Sequence, residues 1–531
     1  MIKTKHLWLI ALLVGWFCDF LFWEKAPGVS FAIYVLLCLA GGFFIVWKEG
    51  KRPARAAWGL LLPIGVFAIL SFIRQEPFSL FLDYVLTLAL MAMLANTLLG
   101  GRWIAYNLTD YASGLVRLFF SVLARPVQSY SANARLHREQ NSPEGQAKSS
   151  FWRSALPIVR GLLLAIPIVA LFGALLSSAD PIFSRRLQDF FDLFDMEKLP
   201  EYILRTVFIL IMAYLLAGVF LHSLFASQDE KLIGDKPWLS PFLGFTEAVT
   251  VLASVELLFA FFVGIQFRYF FGGRANITIE GYTYAEYARR GFGELVVVAV
   301  LSLLLFLSLS AVTKRQDKRQ RWTFSGLGIT LVILLGFILT SAFQRLLLYE
   351  AAYGFSRLRT YPHVFMIWLG LLLLVFVGLE IAGRTRYFAL AALLAAIGFS
   401  LTLNLMNVET FIVKQNISRA MLNNGLDSGY LATLSDDSTP ALADFYADAN
   451  LPASLHHQIG GILACRLAAL PSPSRAVPWQ SFHLSQYQAQ KILLDLAPQL
   501  SEYTLTKDDY GMESVLVEGK EQPCYVAGMI D

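Results

Sequence analysis

The chain has 531 residues, of which 56% are hydrophobic and 15% charged, with 42 Phe among them, and its mean hydropathy is positive. A water-soluble protein of this length does not carry that balance, so the class is integral membrane. A net charge of +4, with the basic residues in short connections, leaves no electrostatic footprint for nucleic acid, and the absence of any CxxC excludes a zinc ribbon or thioredoxin-like site.

The chain opens with Lys3 and Lys5 before an apolar run, Leu7–Trp23. That is the order of a secretion signal, but no small-x-small cleavage site follows, so the run reads as an uncleaved first span. Apolar windows long enough to cross a bilayer as helices then recur. They fall near 7–23, 29–47, 57–73, 78–99, 157–177, 203–225, 239–265, 294–312, 324–344, 363–382 and 387–407, about eleven spans. The fold class is therefore all-α, a polytopic transmembrane helical bundle with a small α-rich extracytoplasmic C-terminal domain.

Four regions follow. Residues 1–128 hold N-terminal spans and an amphipathic interfacial stretch, Trp103–Val127, and residues 129–150 form a polar cytoplasmic linker. Residues 151–407 carry the transmembrane core, and residues 408–531 form the C-terminal domain, with helical patterns in Leu455–Leu470 and Tyr487–Leu500 and strand-like alternation in Tyr503–Val517. With the N-terminus inside, the cytoplasmic connections hold roughly twenty-two Lys and Arg against about a dozen outside, which selects an N-in, C-out topology. Cys465 and Cys524 would then lie in an oxidising compartment and are able to pair, though the sequence gives no distance between them.

No GxxxxGK[ST], HExxH, GxSxG or strand-linked GxGxxG occurs, so the reading leans away from an enzyme. Near the ninth span, Arg345, Tyr349, Tyr353 and Arg357 fall at steps of four. If the helix continues, they form one stripe of guanidiniums and phenols able to grip an anion, or an interfacial belt of anchoring Tyr and snorkelling Arg. Before the eighth span, Glu286, Arg289 and Arg290 lead to Glu294, where i,i+4 pairs form a charge ladder. Asp180-Pro181 starts a turn after the fifth span, ahead of an acid-rich loop.

In the seventh span Glu247, Thr250 and Ser254 make an intramembrane polar stripe expected to face the bundle interior, as an ion or proton pathway or as an interhelical hydrogen bond. Asp19, Asp83 and Glu380 sit near predicted ends, where they reach the headgroups. His456, His457 and Cys465 lack a zinc-site spacing; no metal and no cofactor is expected.

Several of these stretches together resemble a known family. Ser178-Ala-Asp180-Pro181-Ile-Phe183, Phe271-Gly-Gly…Tyr284-Ala-Glu286-Tyr287-Ala-Arg289-Arg290-Gly291-Phe292, and Arg345…Tyr349…Tyr353-Gly354…Arg357-Leu-Arg359…Tyr361 are its marks. After the last span Asn407…Glu409…Asn416…Arg419…Asp427…Tyr430…Ser435…Pro440 fits as well. The resemblance, over about residues 160–445, is to bacterial multi-pass membrane proteins catalogued only as a domain of unknown function, the 4173/4153 group. Ser356 and Glu409 stand where the group more often has Thr and Asp. The resemblance implies a bacterial cell membrane and supplies no activity.

In the N-in topology the motif segments all fall on the outer face, so they are expected to converge there. Arg345, Arg357, Arg359, Arg289 and Arg290 would then meet Asp180, Glu286 and Glu409. Two functions stay open. One is a non-enzymatic envelope transport, sensing or scaffolding protein with an anion- or headgroup-binding site. The other is a membrane-embedded transferase or hydrolase acting on a lipid-linked or envelope substrate. The expected partners are the lipid bilayer and an anionic lipid or envelope precursor, and no nucleic acid.

Overall fold

The computed structural model describes residues 4–139, 199–228, 241–271, 292–422, 425–471, 477–507, 513–517 and 520–524, with five isolated residues between 172 and 183. Among them nine helices are long and apolar enough to cross a membrane, and a shorter apolar helix covers His6–Phe22. Ten of the eleven predicted spans thus coincide with helices, and the window at 157–177, apart from residues 172, 176 and 177, lies outside the described residues. The all-α polytopic bundle follows from the apolar lengths alone: in hydrocarbon a backbone satisfies its own N–H and C=O groups as helix.

The chain divides into two compact units. The first comprises residues 1–24, 37–49 and 118–225. In it α1 (Thr4–Phe22) lies along α6 (Leu199–Phe225). Small residues allow the approach: a Cβ on Gly15 of α1 would lie 2.9 Å from the backbone nitrogen of Ala213, and one on Gly218 of α6 would lie 2.3 Å from the carbonyl oxygen of Val122, in α5 (Leu108–Glu139). Asp19, expected near the headgroups, is instead buried, and both its oxygens accept from Arg205 at 2.6–3.2 Å. The guanidinium also stands 5.8 Å from the Trp23 ring.

The second unit comprises residues 25–36, 50–117 and 226–531. Here α3 (Leu61–Ile73) and α4 (Pro77–Thr97) form a hairpin through the short turn Arg74-Gln75-Glu76, and α4 packs on α11 (Phe388–Met406). The helices α7 (Phe245–Phe271), α8 (Phe292–Val312), α9 (Lys318–Tyr353) and α10 (Arg357–Ile381) share an apolar core. Its centre is a relay of rings, with Phe306 at 5.2 Å from Phe324 and 5.3 Å from Phe376, and Phe376 at 5.6 Å from Phe388.

Beyond α11 the chain turns through Asn407, in the left-handed region at φ 48°, into α12 (Val408–Met421). Then follow α13 (Ser428–Ala432), α14 (Thr439–Tyr446), α15 (Ala453–Ala468), α16 (Leu484–Leu500) and an antiparallel sheet ordered β1-β2-β3 (Leu505–Lys507, Glu513–Val517, Lys520–Pro523). The strand-like alternation resolves into the first two strands, with Leu505 opposite Val515. Cys465 and Cys524 form a disulfide. This C-terminal region has no core of its own apart from the bundle: one apolar cluster joins Ile412, Ile417, Leu442, Ile462 and Val515 to Val364 and Leu403 of the spans.

Connections within the second unit gather in two groups. Gly28 meets Phe482, the Arg74–Glu76 turn meets Asp437, and the 354–356 break meets α12. In the other group Ala54 donates to Leu98, Gly100 to Ser227, and Arg386 to the Ala105 carbonyl. Each group collects connections that strict alternation of the predicted spans assigns to one side.

Candidate functional site

The helix α9 does continue past the apolar window, as far as Tyr353, but the expected four-residue stripe does not reach Arg357. Gly354 ends the helix at φ 82°, a backbone that L side chains rarely adopt, and a Cβ there would lie 2.6 Å from both Arg419 Nη1 and Asn416 Oδ1. The break is clamped by α12. Asn416 accepts from the Phe355 N–H and donates to its carbonyl, both at 2.8 Å, and Arg419 donates to the carbonyls of Ala351 and Ala352, satisfying the helix end. Arg357 thus opens α10 on a different helix from Arg345 and Tyr349.

That break delivers Arg357 to Glu409, which is 0% exposed. The guanidinium donates through Nε, at 2.8 Å, and through Nη2 to Glu409 Oε1. The other oxygen, Oε2, accepts from Ser435 N at 2.8 Å and from Ser435 Oγ. Tyr430 accepts from the Arg357 N–H at 2.7 Å. Burial pushes the Glu409 carboxyl above the usual carboxylate range, with Arg357 and then Ser435 opposing that shift. The Ser435 carbonyl accepts from Arg466 of α15, which also reaches the carbonyls of Leu431 and Leu434 and the hydroxyl of Thr439.

A second buried carboxylate stands on the same end of the bundle. Asp437 Oδ2 accepts from the N–H groups of Gln75 and Glu76, both at 2.8 Å, and Arg74 Nη1 lies 3.9 Å from Oδ1. Burial pushes the Asp437 carboxyl up. Glu76 caps α4 by accepting from Phe78 N and Ser79 N, and it takes the Tyr361 hydroxyl of α10 on Oε1. Arg74, Glu76, Tyr361, Glu409, Ser435 and Asp437 thereby pin the end of α3 and the starts of α4 and α10 to the C-terminal region.

The remaining candidates divide. Arg359 does not join Glu409. It stacks 4.2 Å over the Tyr349 ring and 5.9 Å from that of Tyr353, donating to the carbonyls of Tyr353 and Gly354. Tyr353 is 55% exposed and Leu358 81%, which is the character of a lipid-facing rim. Asp180 is exposed. Arg345 is partly buried, while Glu286, Arg289 and Arg290 lie outside the described residues.

The stripe in the seventh span is corrected. Glu247, Thr250 and Ser254 are all exposed rather than turned to the bundle interior. The reason is where the helix starts: residues 242–243 bond to Val312 at the end of α8, so α7 begins only at Phe245. Glu247 then lies in the first turn, where its carboxylate accepts from Gly244 N at 2.8 Å, and the two hydroxyls bond back to Thr246 and Thr250 carbonyls of the same helix. The carboxylate buried on α7 is Glu256. Cys465, being in a disulfide, is no metal ligand, and among the described residues no group of three His, Cys, Asp or Glu is placed to hold a metal.

Sequence reasoning missed the partners Asp437, Arg74 and Glu76, and had Ser435 among the motif residues without a role. Their signal was faint: Arg74 and Glu76 flank a turn of three residues between two apolar windows, where charge at a buried end has to be matched.

The arrangement is a polytopic helical membrane protein with an ion-paired junction to a C-terminal region. The chain belongs to the family described as "Domain of unknown function (DUF4153)", which it matches over residues 61–445, from about one hundred residues earlier than the motifs suggested. No curated protein and no solved structure matches the chain.

Proposed function

We propose that this is a multi-pass protein of the bacterial inner membrane, N-terminus cytoplasmic and C-terminal domain extracytoplasmic, that acts without chemistry of its own as a sensing, scaffolding or transport-coupling element. The observation carrying this reading is the Glu409 junction. Each carboxylate oxygen there is occupied by a protein donor, and the apolar core runs from the spans into the C-terminal region. Such a joint holds a domain in register with helices and offers no open donor set to a reacting group. The disulfide suits an oxidising compartment, and the basic residues near the opposite helix ends, among them Lys51, Arg52, Arg384 and Arg386, suit a cytoplasmic face.

The headgroup reading narrows to the rim where Arg359 stacks on Tyr349 and Tyr353, with Arg345 as its further candidate. An anionic lipid is the ligand class that a guanidinium beside exposed aromatics favours. In intact cells after mild reduction, a membrane-impermeant thiol reagent should label Cys465 and Cys524; protection until lysis reverses the orientation. Protein purified in nanodiscs of native lipid should retain anionic lipid, less so after Arg359→Ala, and leave lipid-linked precursors unchanged. Turnover of a precursor establishes the transferase or hydrolase alternative, and retention indifferent to Arg359→Ala removes the headgroup site.

A further inference from the structure

Asp83 lies in the second turn of α4, inside an apolar span, and is 0% exposed. Expected from its position to reach the headgroups, it faces α11 instead. Its Oδ1 accepts from Asn404 Nδ2 at 2.9 Å and from Ser400 Oγ at 3.3 Å. Its Oδ2 is buried without a partner, and so is the Oδ1 of Asn404, which is itself 1% exposed. Both donors of the Asn404 amide are already engaged, on Asp83 and on the Ser400 carbonyl. Two orphaned acceptors therefore sit at one place, and what they lack is a donor.

The neighbouring helices supply no charge to balance an ionised carboxylate. Neither α3 nor α11, the helices that run along α4, contains an ionisable side chain, and the short helix Arg55–Leu60 that also packs on α4 brings Arg55 to its opposite end, where Ala54 donates to the Leu98 carbonyl. On α4 itself the facing groups are Tyr84 and Glu76, the latter two turns away on the same face and of like charge. Tyr34 lies on the nearby α2 (Val29–Lys48), and Tyr361 of α10 is committed to Glu76. Arg74, in the turn before α4, gives its Nε to the Asn404 carbonyl and turns Nη1 to Asp437. Neutral donors on one oxygen and nothing on the other cannot hold a carboxylate in a dry span.

We propose that Asp83 is an intramembrane proton-binding site: the folded protein holds it as a neutral carboxylic acid between α4 and α11, the proton on Oδ2 supplying the missing donor. The proton comes from water and leaves to water, with no other bond made or broken. The site stands independently of the orientation and of the rim proposed above.

Infrared difference spectroscopy on the full-length protein in nanodiscs at neutral pH tests it, comparing the native chain with Asp83→Asn, in sodium buffer and in sodium-free buffer. A carbonyl stretch of a protonated carboxylic acid, lost in Asp83→Asn, shifted down in deuterium oxide and indifferent to sodium, is the expected result. Carboxylate stretches alone, or an acid band abolished by sodium, overturn it in favour of an ionised or cation-binding residue. Asn404→Leu keeps the acid and removes its hydrogen-bond partner, so the band should move to higher frequency. That variant decides the matter should Asp83→Asn fail to fold, and an unmoved spectrum there overturns the assignment.

Discussion

Two arginine–carboxylate pairs hold this molecule together in different ways. In the first unit Arg205 grips Asp19 across two helices, with a guanidinium 34% exposed and a second carboxylate, Glu201, 3.6 Å away. In the second unit Arg357 grips Glu409, but the carboxylate's other oxygen is taken by the backbone and hydroxyl of Ser435, so three segments meet on one side chain. Asp19 can lose its partner and leave an arginine that turns to Glu201 or to the surface. Glu409 cannot be lost without stranding a guanidinium and two Ser435 donors together. The first pair is a clamp between neighbours; the second is a joint on which a domain depends.

Breaking the joint should have the largest effect. Glu409→Ala is expected to cost about 3–5 kcal/mol, because removing one partner of a buried pair leaves the other uncompensated. The double change Arg357→Met with Glu409→Leu should recover most of that, since neither charge then needs a partner. Thermal unfolding of the purified chain reads both, and a single variant as stable as the native protein would show the joint to be ornamental.

The disulfide stands next. It closes a separation of 59 residues within the second unit, from α15 to the end of the sheet. Constraining the unfolded chain over such a loop is worth about 2–4 kcal/mol. Cys465→Ser with Cys524→Ser should lower the melting temperature accordingly and raise amide exchange in β1–β3 first. Exchange rising equally along α1 and α6 would contradict the separation of the two regions.

Asp19→Ala should be milder, about 1–3 kcal/mol for a lost hydrogen bond to a charged group, given the alternative at Glu201. A loss matching that of Glu409→Ala would erase the distinction between clamp and joint.

Which parts of this were legible in the sequence follows from length scales. An apolar run of twenty residues is read without knowing its neighbours, so the helices at 29–48, 77–97 and 388–406 fall where hydropathy puts them. The motif residues Gly354, Arg357, Glu409, Asn416 and Tyr430 were also visible, and they do meet. What they do there was not visible, because a guanidinium for a ligand and one for a carboxylate look alike until the partner is placed. Glu247 and Asp83 make the same point for burial. Glu247 moved because a helix start shifted by six residues, from 239 to Phe245, makes it a cap, whereas Asp83 is buried because its face of α4 meets Ser400 and Asn404 of α11, a pairing no single apolar window shows.

The smallest effect concerns pH and again separates joint from clamp. Burial holds the Asp437 carboxyl above the ordinary range, more than the Gln75 and Glu76 N–H groups and Arg74 bring it down. A folded state that binds a proton more tightly than the unfolded one is favoured by acid. The stabilisation is complete below the unfolded value, about 3.9 for an aspartate, and is lost as pH rises from there through the raised folded value, after which stability is flat. Glu409 and Asp436, also raised by burial, act with the same sign. Melting of the second unit should therefore fall as pH rises through that window, and Asp437→Asn should make the fall shallower without abolishing it, the residue of the slope belonging to Glu409 and Asp436. Stability that climbs with pH, or a slope untouched by Asp437→Asn, would mean that Asp437 titrates as a solvated acid does and that the turn at Arg74–Glu76 is not sealed by the C-terminal region.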